Sequence, residues 1–223
     1  MVVMIVLLFI ALFVIIDLLR IYFKQKAKVT EGNKVLRSFE NLSVPLGLFF
    51  DKSHVWVRLN DSGEVRIGLD EFLIKAVGKI DRIETLPSGT TVKSGEKIAV
   101  CFVDGKRFVI KSPISGTIIS KNESFNKESE ALSEDPYFSG WVVKIWPLEI
   151  KESIRDLMIG KSAEQWMKRE LGRFTDFLSK NATLALKPAL ADGAKPIVGA
   201  VSFLDEDGFN KFVKEFIESP KGE

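Results

Sequence analysis

The sequence is poor in the residues that carry most enzyme chemistry: it has one cysteine, Cys101, and one histidine, His54, in 223 residues. A single thiol excludes an internal disulfide framework, and two soft ligands are too few for a typical zinc site. Cys101 therefore reads as a small buried apolar residue, and His54 as a strand-packing residue. A surplus of charge is missing too. Lysine and arginine total 32 against 30 aspartates and glutamates, a net charge of +2, which supplies no basic field of the kind nucleic-acid binding draws on. No phosphate loop, metal-ligand spacing or nucleophile elbow occurs. No catalytic residue and no metal ligand is assigned, no metal is expected, and nucleic acid is set aside as a partner.

What is present first is an apolar run. Met1 to Ile16 lacks any polar side chain, and Leu18, Leu19, Ile21, Tyr22 and Phe23 continue it around Asp17 and Arg20. At about 1.5 Å per residue, a helix ending at Phe23 reaches the roughly 30 Å hydrocarbon thickness of a bilayer. Residues 1–23 are expected to form a transmembrane helix. Positive charge follows the run at Arg20, Lys24, Lys26 and Lys28, unlike the pattern of a cleaved leader. The positive-inside tendency then places the N-terminus outside and the remainder in the cytoplasm. The expectation is a single-pass protein of the inner (cytoplasmic) membrane, with the membrane as one partner. Residues 24–46, polar and mixed in charge, read as a juxtamembrane linker.

From Gly47 the texture changes to short apolar runs, broken every eight to twelve residues by turn signals such as Asn60-Asp61-Ser62-Gly63, Pro87-Ser88-Gly89 and Ser139-Gly140. Such spacing marks an all-β sandwich or barrel. His54 to Leu59 and Glu64 to Gly68 predict one hairpin, and Asp70 caps a short helix over Glu71 to Val77. Lys97 to Val103 and Lys106 to Ile110 predict a tight hairpin about Asp104-Gly105, a dipeptide suited to a type I′ turn. After Pro147 the period lengthens. Ile150, Ile154, Leu157 and Met158 predict one helical stripe, and Ser162 caps a second helix burying Trp166, Leu171, Phe174, Phe177 and Leu178. Residues 172–223 continue that helix into an annex: an apolar strand, Ile197 to Leu204, then an amphipathic helix, Glu206 to Ile217.

Ordered segments across residues 47–171 carry a family likeness: His54-Val55-Trp56-Val57, Ile67-Gly68-Leu69-Asp70-Glu71-Phe72, Val77-Gly78-Lys79-Ile80, Leu86-Pro87-Ser88-Gly89-Thr90, Lys93-Ser94-Gly95-Glu96, Ser112-Pro113-Ile114-Ser115-Gly116, Glu134-Asp135-Pro136-Tyr137 and Gly140-Trp141. In this order and spacing they resemble the glycine cleavage H protein. The resemblance implies a mainly β, flattened barrel or sandwich of the lipoyl-carrier type with C-terminal helices, to which this chain adds its N-terminal transmembrane helix. It also implies a non-catalytic carrier, whose lipoyl-lysine on a hairpin tip visits the other subunits of a complex.

At that tip the sequence departs from the pattern. The family's attachment lysine lies ten residues after the glycine matched by Gly95 and seven before the serine matched by Ser112, and both counts end on Gly105. The family's Glu-Ser-Val before the lysine falls on Phe102, Val103 and Asp104. Lys106 stands one residue downstream, and a one-residue displacement on a hairpin turns a side chain to the other face. With Asp104, Gly105 and Lys106 forming the tip, the expectation is a membrane-anchored, unlipoylated docking or scaffold subunit of a larger complex, bound to protein partners and holding no cofactor. The alternative is a lipoyl carrier of glycine cleavage, or of a related lipoate-dependent system, with lipoate on Lys106.

Overall fold

Alternation of buried and exposed side chains gives the strands their faces. The computed structural model describes residues 42–123, 135–181 and 196–218. Its strands are β1 (Phe49–Asp51), β2 (Val55–Leu59), β3 (Val65–Leu69), β4 (Arg82–Thr85), β5 (Thr91–Val92), β6 (Lys97–Val103), β7 (Lys106–Lys111), β8 (Gly116–Lys121), β9 (Trp141–Pro147) and β10 (Met158–Ile159). One antiparallel sheet of seven strands runs β10-β1-β2-β3-β9-β8-β5, and a second of three runs β4-β6-β7. Val55, Val57, Val65, Ile67, Leu69, Val143 and Ile145 of the large sheet share one buried cluster with Ile98, Cys101, Phe108 and Ile110 of the small one. The result is a mainly β sandwich with C-terminal helices.

Helix α1 (Glu71–Val77) begins where Asp70 Oδ1 accepts the Leu73 N–H at 2.8 Å, the N-cap arrangement that satisfies an orphan donor. Helix α2 is short (Ile150–Ser153), and α3 (Lys161–Asn181) buries Ala163, Trp166, Met167, Glu170, Phe174, Phe177 and Leu178. Beyond it lie a 3-10 turn (Ala200–Phe203), α4 (Glu206–Phe212) and a π-helical turn (Val213–Glu218). Phe212 and Phe216 stack at 5.3 Å and meet Phe174 and Phe177 of α3 edge-on or tilted.

Four local expectations change. Ser162 does not cap α3 but lies within it, its hydroxyl donating to Ile159 O at 2.8 Å. The helical stripe from Ile150 to Met158 is cut short, because Phe50 and Phe49 at the edge of β1 take Met158 and Ile159 as ladder partners. The strand expected over Ile197 to Leu204 is a 3-10 turn instead. Gly199 enters the left-handed region at φ 78° and donates its N–H to Lys75 O at 2.7 Å, and that geometry ends an extended chain. His54 also leaves its expected strand: it sits at φ 62° ahead of β2.

The Gly199 contact requires a bare backbone opposite. A Cβ on Gly78, itself at φ +76°, would lie 2.7 Å from Gly199 Cα. Gly78→Ala is therefore expected to destabilise the protein by about 2–4 kcal/mol, adding the left-handed penalty to overpacking. Urea unfolding checks it; an unchanged midpoint contradicts it.

The expected localisation in the inner membrane is corrected: among the described residues no helix is long and apolar enough to cross a membrane. The 21-residue α3 is charged along its length, from Lys161 through Arg169, Glu170 and Arg173 to Lys180. The expected span, residues 1–23, lies outside the described residues, as do most of the linker, Glu134 and the start of the annex.

Candidate functional site

The β6-β7 hairpin closes in two residues, with Val103 opposite Lys106. Asp104 and Gly105 both have positive φ, 49° and 74°, the type I′ signature whose twist matches the flanking strands. The Asp104 N–H donates to Asp81 Oδ2 at 2.8 Å, which ties the tip to the residue preceding β4. Behind the turn the Arg82 guanidinium lies 3.5 Å from the Phe102 ring centroid. Asp104 and Gly105 are exposed, and a Cβ built on Gly105 meets nothing within 4 Å.

Lys106 does not share that exposure. Its Nζ donates to Leu204 O at 2.6 Å and lies 5.3 Å from the Phe209 ring centroid. The annex thus takes up the amine through a charge-assisted hydrogen bond and an aromatic face. Between the hairpin and α4 a cleft of about 720 Å³ remains, lined by Phe102, Asp104, Arg107, Glu206, Phe209 and Asn210. The tip is therefore an exposed surface without an amine, beside an amine that already has partners.

A second cluster was not visible in the sequence. His54 is fully buried, with Nδ1 donating to Asp70 Oδ2 at 2.8 Å and Nε2 3.7 Å from Glu170 Oε2. The second contact is too long for a hydrogen bond, and Nε2 has no other partner; the attraction to Glu170 is electrostatic. Burial pulls the imidazole's pKa down, but Asp70 and Glu170 together outweigh it and hold the pKa at about 9, so His54 is a buried cation at neutral pH. Burial pushes the Glu170 carboxyl up, but His54 and Arg173 win and leave it below the usual carboxylate range. Arg173 Nη1 donates to both Glu170 oxygens, at 2.6 and 2.7 Å. The ring stacks on Phe72 at 4.2 Å and lies 5.0 Å from Trp166.

This Asp70-His54-Glu170-Arg173 chain joins the β1-β2 turn, α1 and α3. His54, Asp70 and Glu170 are buried and only Arg173, 26% exposed, reaches the surface, so the imidazole and both carboxylates offer nothing to a substrate and their role is structural. Cys101 is likewise buried, and burial raises its thiol far above the usual range. Such a thiol is inert. Among the described residues no group of three or more potential ligands is placed to hold a metal.

The profile of the glycine cleavage H-protein family matches residues 48–170. The chain belongs to the glycine cleavage H-protein family. Among H-protein relatives, glycine cleavage system H protein 2 of Aquifex aeolicus is 27% identical over 139 residues, covering 62% of this chain and 86% of that protein. A probable glycine cleavage system H protein of Pyrococcus abyssi is 32% identical over 124 residues, covering 55% and 90%. A crystal structure of the Mycobacterium marinum H protein overlays with TM-score 0.49 at 21% identity, covering 57% of this chain and 98% of that one. The H-protein match ends at the middle of α3, so the segment that holds Lys106 lies beyond it.

Proposed function

We propose that this H-protein-family member is a non-catalytic module that meets protein partners of a larger complex through its hairpin without carrying lipoate. One observation carries the reading: Gly105 occupies the tip, while Lys106 Nζ is engaged by Leu204 O at 2.6 Å. A lipoyl arm needs a free lysine amine on an exposed turn, and these residues do not fit that group. The flanking Phe102, Val103 and Asp104 also replace the family's Glu-Ser-Val. The ordered scaffold, with its tip exposed, supports docking.

Family membership supports the second reading more directly than the first. The relatives are named as glycine cleavage system H proteins, and H proteins carry lipoate, so Lys106 would be the attachment site of a carrier. The two readings part on one experiment. Co-expression with a lipoate–protein ligase and lipoate, followed by intact-mass measurement of the full chain, is expected to show no adduct on the native sequence. An adduct that vanishes in Lys106→Arg establishes the carrier and ends the docking reading.

A further inference from the structure

We propose that the outer face of the seven-stranded sheet is a docking site for an acidic peptide segment of a partner protein. Three cations stand side by side across it: Arg58 is the register partner of Arg66, and Arg66 of Lys144. Adjacent strands lie about 4.8 Å apart, so all three Cα atoms fall within about 10 Å. Like charges directly opposite one another destabilise a sheet, and opposite-charge or threonine pairs would serve the fold better. Among the described residues only Glu64 answers the row, 3.2 Å from Lys144 Nζ. Arg66 Nε is buried without a hydrogen-bond partner.

Aromatic side chains frame the row. Arg58 lies 4.4 Å from the Phe138 ring centroid and Lys144 Nζ 5.3 Å from that of Trp141. Phe138 is 60% exposed, and Trp146, two residues along β9 from Lys144 and so on the same face, is 53% exposed. Three cations against one carboxylate, bordered by open apolar surface, complement a segment that alternates carboxylates with apolar groups. A single-stranded nucleic acid fits less well. Such a strand is held by a charged groove that tracks its backbone over several nucleotides, and three cations within about 10 Å offer no such track.

The surface belongs to the sheet that does not contain the hairpin, so the proposal holds whether or not Lys106 is acylated. Fluorescence anisotropy of a labelled oligo-glutamate peptide with the full chain tests it, alongside Arg66→Gln, Arg58→Gln and, as a control on the exposed side of α3, Lys168→Gln. Binding is expected to fall about tenfold with either arginine variant, the size of one lost charge-assisted contact, and to be unmoved by Lys168→Gln. Because the row opposes like charges, Arg66→Gln is also expected to melt no lower than the native protein. Equal binding by all four proteins overturns the proposal. So does tighter binding of an oligothymidylate than of the peptide, or a fall of several degrees in the melting temperature of Arg66→Gln, which would make the row structural.

Discussion

Gly105→Lys is expected to be acylated by a lipoate–protein ligase at least about tenfold faster than the native chain. The new side chain enters open space at the apex. Its cost is the left-handed backbone, φ 74°, about 1–2 kcal/mol for a residue with a Cβ, which a domain of ordinary stability tolerates. Lys106, by contrast, must first give up its bond to Leu204 O. A hydrogen bond from a charged donor is worth about 1.5–3 kcal/mol, so its free form is scarcer by a factor of about 10 to 100. Adding Lys106→Arg to Gly105→Lys is expected to leave the rate unchanged. Equal rates for the native chain and Gly105→Lys, measured by intact mass over time, contradict the assignment of Gly105 as the vacant attachment position.

Asp70→Ala is expected to cost about 4–6 kcal/mol. The carboxylate does two jobs at once: Oδ1 caps α1, and Oδ2 accepts from His54 Nδ1. Losing a cap costs about 1 kcal/mol, and stranding one partner of a buried ion pair costs about 3–5 kcal/mol. Asp70→Asn separates the two, since asparagine caps as well as aspartate but carries no charge.

The pH dependence follows in sign. The folded pKa of His54, about 9, exceeds the usual 6.5. Its contribution is whole below about pH 6.5 and is lost as pH rises through 9. Glu170 is shifted the other way, so its contribution is whole above about pH 4.5 and is lost as pH falls through its lowered folded pKa. Stability is expected to be flat between those limits and to decline on the alkaline side. In Asp70→Asn the strongest cause that raises the imidazole's pKa is gone and burial outweighs Glu170, so the folded pKa falls and the alkaline decline disappears. Urea midpoints at a series of pH values check both outcomes; a persisting decline in Asp70→Asn contradicts the buried-cation assignment.

Features set by neighbours in sequence were legible before any coordinates. Asp104-Gly105 between alternating apolar residues announced the hairpin, and Asp70 ahead of an apolar helix announced its cap. Features set by distant partners were not. His54 meets Asp70 across 16 residues and Glu170 from a different helix, and nothing local to His54 distinguishes a packed histidine from a buried cation. Lys106 finds Leu204 across 98 residues. The helix expected from Ile150 to Met158 ends early for a related reason: its periodicity is helical, but the open edge of β1 offers Met158 and Ile159 backbone partners. Gly199 spoiled the expected strand by approaching the backbone of α1, a contact that no pattern of hydrophobicity encodes.

Whether the hairpin is a carrier or a bare docking surface comes down to one peptide. Mass spectrometry of the segment spanning Lys97 to Lys111, isolated from the native host, is expected to show Lys106 unmodified in essentially every copy. A lipoyl or octanoyl adduct on Lys106 would contradict the docking reading and make this chain a carrier.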